Sequence, residues 1–321
     1  MAQIILIGIG AGLATALLFA SLASGSLIAI PLFYLAPLPI LIAGLGWSHW
    51  AGLIAAICAA ASLAVAFGNL FFVAFLVGVS LPAWWLSYLA LLARSAERKT
   101  PDGLEWYPVG QIVLWTAIIG TLIVVVSIPY FGTDTESFHA TLRDVIQSSL
   151  GLGRPQASDG SDFNANRILD ADVLATVAPS MVASLTTIIQ VVNLWLAARI
   201  VKVSGRLRRP WPELPAITFP PLTPALLAAA IAGTFLPGFI AIISGILAAS
   251  LMMAYAVLGF AVFHVITRGI DGRPFVLAGV YSVVLIFGWP ALILSMLGLA
   301  DTIFNLRGRA TRKRGPPTLR Q

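Results

Sequence analysis

MAQIILIGIGAGLATALLFASLASGSLIAIPLFYLAPLPILIAGLGWSHWAGLIAAICAAASLAVAFGNLFFVAFLVGVSLPAWWLSYLALLA, residues 1–93, holds no Asp, Glu, Lys or Arg, and the first charge in the chain is Arg94. A water-soluble domain needs charge on its exposed faces. A lipid-embedded one must exclude it, because an ionised side chain at mid-bilayer costs at least ~2.5–3.5 kcal/mol. Unbroken Leu, Ile, Ala and Val runs are the pattern of helices, not of the short alternating strands of a β-barrel. The stretch therefore predicts an all-α, polytopic integral membrane helix bundle.

The same sorting extends over all 321 residues: the charges fall into clusters at 94–105, 134–172, 199–213, 268–273 and 301–320. At roughly 20 apolar residues per crossing, the runs between them give candidate spans at 4–23, 27–46, 50–67, 70–93, 109–129, 174–198, 219–236, 239–267 and 275–300. Eight or nine transmembrane helices are expected, forming a domain over 1–300 with a basic tail at 301–321. The start lacks the basic region of a signal peptide, so 4–23 reads as a retained span. Cys58 is the sole cysteine, which excludes an internal disulfide.

Residues 130–172 form the one sizeable loop, with seven acids against three arginines. Thr133 and Glu136 have capping-box spacing, and Phe138, Leu142, Val145, Ile146 and Leu150 follow at helical period. A short amphipathic helix on the bilayer surface is expected there, followed by a mobile Gly/Ser/Asp-rich stretch at 151–166. Basic residues Arg199, Lys202, Arg206, Arg208 and Arg209 precede six prolines between 210 and 224, which predicts a stiff connector over 199–218. The positive-inside rule places this connector and Arg94, Arg98 and Lys99 in the cytoplasm and the acidic loop outside. The net charge of +6 thus reports topology, and no nucleic-acid partner is expected.

The basic tail also asks to be cytoplasmic, yet three spans between 214 and 300 would put it outside. Either Pro237-Gly238 does not separate two full crossings, or one segment is re-entrant, or the tail breaks the rule. The preferred reading is an inside tail with eight true crossings.

Few residues carry chemistry. Thr186, Gln190 and Asn193 lie at i, i+4 and i+7 of one span, and buried amides need partners. They either tie helices together or face a solute. Tyr34 precedes Pro37 and Pro39, whose missing donors free backbone carbonyls, and Asn69, Ser80 and Tyr255 are further candidates. Gly8, Gly12, Ala16 and Ala20 form a small-residue column suited to close helix contact, either within the chain or with a partner membrane subunit. Asp301 closes the last span and is expected to pair with Arg307 or with a basic residue of another cytoplasmic loop, as a structural clamp that fixes the helix end. His49, His139 and His264 have no ligand spacing, so no metal or cofactor is expected. No reactive pair, P-loop or HExxH motif is present, which disfavours an enzyme.

Three elements carry a family resemblance: Tyr34-Leu-Ala-Pro37-Leu-Pro39 with Gly44 and Gly46, Gly259-Phe-Ala-Val262, and Gly298-x-x-Asp301-x-x-Phe304-x-x-Arg307. They resemble the uncharacterised YybS-like family of bacterial membrane proteins. The N-terminal part of that family is similar to the S components of energy-coupling-factor transporters, which bind a solute in the membrane and dock a partner through small residues of the first helix. The resemblance implies a multi-pass inner-membrane protein that is solute-binding or transport-associated, with Ala16 and Ala20 at the docking element. The alternative is a non-transporting scaffold or assembly factor. Partners expected on these readings are the lipid bilayer, a membrane subunit and a small-molecule solute.

Overall fold

The computed structural model describes residues 1–95, 103–150 and 171–313. In lipid every backbone N–H and C=O needs an internal partner, and helices supply it within one segment. The first crossing is α1 (Ala2–Ala20), continued by a 3-10 turn over Ser21–Ser24. The second is divided into α2 (Ala29–Tyr34) and α3 (Leu38–Gly46), and α4 (His49–Phe67) is the third. The fourth joins α5 (Asn69–Phe75), a π-helical turn (Leu76–Ser80) and α6 (Leu81–Leu91).

A two-stranded antiparallel hairpin follows, β1 (Ala93–Ser95) on β2 (Leu104–Trp106), with Arg94 and Glu105 opposed and ion-paired at 2.9 Å. These strands overlap the two ends of the 94–105 charge cluster. Helices α7 (Val109–Phe131), α8 (Thr135–Leu150) and α9 (Ala171–Val203) come next, then α10 (Thr223–Gly233) and α11 (Phe239–Ile266). The chain closes with α12 (Arg273–Phe287), α13 (Ala291–Phe304) and α14 (Leu306–Lys313).

Among the described residues, seven segments are long and apolar enough to cross a membrane, and the apolar helices α10, α12 and α13 are shorter. This revises two expected spans. The 219–236 span shrinks to the 11 residues of α10, bounded by Pro220, Pro221 and Pro224 on one side and Pro237-Gly238 on the other. The 275–300 span breaks into two helices at Gly288, whose φ is +70°, and Pro290.

Residue pairs give the direction of these last helices. Tyr281 of α12 stacks on Phe260 at 4.8 Å, and Arg273 reaches the His264 carbonyl at 3.1 Å, so α12 runs back along α11. Ser295 donates to the Met252 carbonyl at 2.6 Å, a Cβ on Gly298 would strike the Tyr255 carbonyl, and Arg307 meets the connector at Leu214 and Ile217. Helix α13 therefore runs parallel to α11. Together α12 and α13 form a hairpin that enters and leaves at the connector end. Each arm is 15 or 14 residues, hence about 21–22 Å tall, against roughly 30 Å of hydrocarbon. Helix α10, with the turns at its ends, still carries the chain from Phe219 beside Tyr255 to Phe239 beside Phe138 at the opposite end. Arg307, near the end of the described residues, lies at the connector.

The connector is fastened to that end. Arg209 donates to the carbonyls of Ala90 (3.2 Å) and Tyr107 (2.7 Å), and its burial lowers its pKa below that of a free guanidinium. Lys202 sits over Trp211 at 4.6 Å and Arg206 over Trp47 at 4.5 Å.

At the other end α8 differs from expectation in its cap and its seat. Asp134, not Thr133, caps it: Oδ1 accepts from the Ser137 N–H at 2.9 Å and Oδ2 from its hydroxyl at 2.8 Å. Phe138 is buried among Val124, Ile128, Ala183 and Ile246. The helix therefore packs on the ends of α7, α9 and α11, and Arg143 pairs with Asp172 of α9. Val145 is exposed on this helix, and Leu142 and Ile146 are half-buried. Arg98, Lys99, the 151–166 stretch and the tail beyond 313 lie outside the described residues.

Candidate functional site

Two helix breaks and one unbroken helix line a half-open cavity of about 160 Å³. The first break follows from Pro37. The Leu38 N–H turns to the Leu35 carbonyl at 3.0 Å instead of reaching Tyr34. The Tyr34 carbonyl, left over, accepts Nδ2 of Asn193 at 2.9 Å, and the same amide group donates to Ile189 one turn earlier at 2.9 Å. Asn193 thereby ties α9 to the break, across 159 positions of sequence.

The second break is the π-helical turn Leu76–Ser80. Pro82 has no N–H to offer the preceding turn, and the Leu81 N–H reaches back to the Leu76 carbonyl. Such one-residue expansions widen a helix and recur at functional sites. Here Gly78, Val79 and Pro82 form one wall of the cavity.

Aromatic rings close another side. Phe19, at the end of α1, meets Phe33 at 5.0 Å between ring centroids and Phe75 at 4.7 Å. Phe19, Phe33 and Tyr34 all line the cavity. The third wall is α9, through Thr186, Ile189 and Gln190.

Gln190 is the polar centre of this space. It is only 7% exposed, and among the described residues neither its Oε1 nor its Nε2 has a hydrogen-bond partner. A buried amide left unpaired costs roughly 1–3 kcal/mol, so a native protein seldom keeps one without a use. Thr186 has spent its proton on the Val182 carbonyl at 2.8 Å and keeps only acceptor capacity. No Asp, Glu, Lys, Arg or His lines the cavity.

The structure thus brings Tyr34, Thr186 and Gln190 to one cavity and puts Asn193 behind them as a tether. Ser80 is buried beside the π turn with its hydroxyl unpartnered among the described residues. Two other polar candidates lie elsewhere. Asn69 is exposed at the start of α5, and Tyr255 is fully buried against Phe219 in the second half of the bundle. Phe19, Phe33, Gly78 and Pro82 were missed as lining residues. Pro82 after Gly78 inside an apolar run was the available signal for the second break.

The small-residue column of α1 is used within the chain. A Cβ on Gly8 would sit 2.7 Å from Ile54, and one on Gly12 would sit 2.7 Å from the Ala55 carbonyl. Ala16 is buried with Ala59, Ala60 and Leu63, and Ala20 packs at the edge of that cluster. Of the two readings of this face, within the chain or with a partner subunit, the packing shows the contact within the chain, with α4 lying against it.

Asp301 and Arg307 are 5% and 6% exposed, at the end of α13. Oδ2 of Asp301 accepts from Nε at 2.8 Å and Nη2 at 2.7 Å, while Oδ1 accepts the Arg307 backbone N–H at 2.9 Å. His264 directs Nδ1 at the Phe260 carbonyl at 2.9 Å, a bond within its own helix. Among the described residues no three of His, Cys, Asp and Glu converge as a metal site would need.

A family model described as "Predicted membrane protein (DUF2232)" matches residues 13–302. No curated protein and no solved structure matches the chain.

Proposed function

The chain belongs to this DUF2232 family of predicted membrane proteins, and we propose that it is a solute-binding or transport-associated subunit of the bacterial inner membrane, without catalysis of its own. The observation that carries the reading is Gln190, whose unpartnered amide lies in a cavity at two helix breaks. Interrupted helices are a recurring way to place polar groups for a solute inside a membrane. The likeness of Tyr34–Pro39 and Gly298–Arg307 to YybS-like proteins, and through them to S components, supports the same role. A partner, on this reading, docks at a face other than the Gly8–Ala20 column.

The rival role, a scaffold that recruits partners through its basic end, requires no cavity, and the cavity favours the solute reading. The test is native mass spectrometry of the protein purified in its own lipids. A small molecule retained by the wild type and absent from Gln190→Leu is expected. Retention unchanged by that substitution, or no small molecule in either preparation, overturns the proposal.

A further inference from the structure

Resting on the solute-binding reading, we infer that the Gln190 cavity takes an uncharged molecule with an apolar body and a single edge carrying a hydrogen-bond donor beside an acceptor, as in a carboxamide, lactam or imide. The lining determines each part of this description.

The absence of charge in the ligand follows from the wall. An ion moved out of water needs a counter-charge or several oriented dipoles. Among the described residues no Asp, Glu, Lys, Arg or His faces the cavity, and its polar side chains are the Gln190 amide and the hydroxyl-bearing Thr186 and Tyr34. A carboxylate would satisfy Nε2 and repel Oε1. An ammonium would do the reverse.

The paired edge follows from Gln190 itself. Both Oε1 and Nε2 lack partners, so the oxygen needs a donor and the nitrogen an acceptor. Turning the amide over exchanges the two positions without changing the requirement. A ligand offering both groups side by side satisfies it in one contact. The apolar body follows from Phe19, Phe33, Ile189 and Leu41, which present carbon to the remaining space. A site built to hydrogen-bond also rejects a purely apolar occupant, because its own amide would stay unpaired.

The experiment uses the full chain in nanodiscs and three probes of one size: benzamide, benzoate and toluene. Saturable retention is read by equilibrium dialysis, with empty nanodiscs as the blank for lipid partition. Benzamide is expected to bind, benzoate about 100-fold more weakly or not at all, and toluene about 10-fold more weakly, in line with the penalty for an unpaired buried amide. In Gln190→Leu the order of benzamide and toluene should invert, with the fold checked by thermal unfolding. Benzoate or toluene equal to benzamide, or an order unchanged in Gln190→Leu, overturns the inference. So does the lack of saturable binding by any probe. If a natural solute is meanwhile retained through Gln190, the solute-binding reading survives and only the chemical class is wrong.

Discussion

Arg307 and Asp301 are joined by three hydrogen bonds through six residues of chain, and the same guanidinium crosses to the Leu214 and Ile217 carbonyls at 3.0 and 2.8 Å. One arginine therefore closes the last helix and pins the proline-rich connector to it. Both partners are buried, so removing one leaves the other an uncompensated charge. Arg307→Ala is expected to lower stability by about 3–5 kcal/mol, read as loss of thermal stability in detergent. Asp301→Ala combined with Arg307→Ala should cost less than the sum of the two single changes. Additive losses would show that the pair does not act as a unit.

Gln190→Leu should stabilise the empty protein, by about 1–3 kcal/mol, because it removes an amide with no partner and fills the same space with carbon. A gain in melting temperature together with a loss of bound solute is the expected signature of a group kept for function at a cost in stability. A destabilised Gln190→Leu would mean that the amide is satisfied within the fold.

Gly12→Val tests the α1–α4 contact. The added carbon lands against the Ala55 carbonyl and Cys58, where neither backbone can retreat independently. Overpacking of this kind costs about 1–3 kcal/mol, and Gly10→Val, at a position with open space around it, should be neutral by the same thermal assay.

The cap of α8 should depend on acid. Hydrogen bonds from the Ser137 backbone N–H and then its hydroxyl hold the Asp134 carboxyl below its usual 3.8. A depressed folded value means that its contribution is complete above pH 3.8 and is lost as pH falls through the lower, folded value. The protection factor of the Ser137 amide against hydrogen exchange should fall across that acid window in the wild type. In Asp134→Ala it should be low and flat at every pH.

The path of the α12–α13 hairpin predicts accessibility. In a Cys58→Ala background, cysteines at Ser204 and Arg309 should react with an impermeant thiol reagent from the same side of the membrane, and one at Ser148 from the opposite side. Labelling of Arg309→Cys from the side of Ser148→Cys would refute the returning hairpin.

Much of the architecture was readable because lipid punishes charge so heavily that Arg94, the acidic loop and the basic connector mark the span boundaries directly. Thr186 and Gln190 announced a shared face by their spacing, and Pro37 announced a freed carbonyl. That Asn193 would be the group to take it was not readable, since nothing local links positions 34 and 193. The Gly8–Ala20 stripe has the same appearance whether its neighbour is α4 or another protein, so its destination had to come from packing. The break at Gly288 and Pro290 was hidden by the apolar residues on either side, which make two short helices resemble one long span. The strands at Ala93–Ser95 and Leu104–Trp106 are three residues each, too short for an alternating pattern to show.

The hairpin tip at Gly288–Pro290 has a mechanical consequence for the surrounding membrane. Helix α12 has no buried residue and exposes Phe275, Leu285, Ile286 and Phe287, side chains that acyl tails alone accommodate, yet it stops short of the far face. Lipid at the tip therefore has to fill the depth that a full-length helix would otherwise occupy.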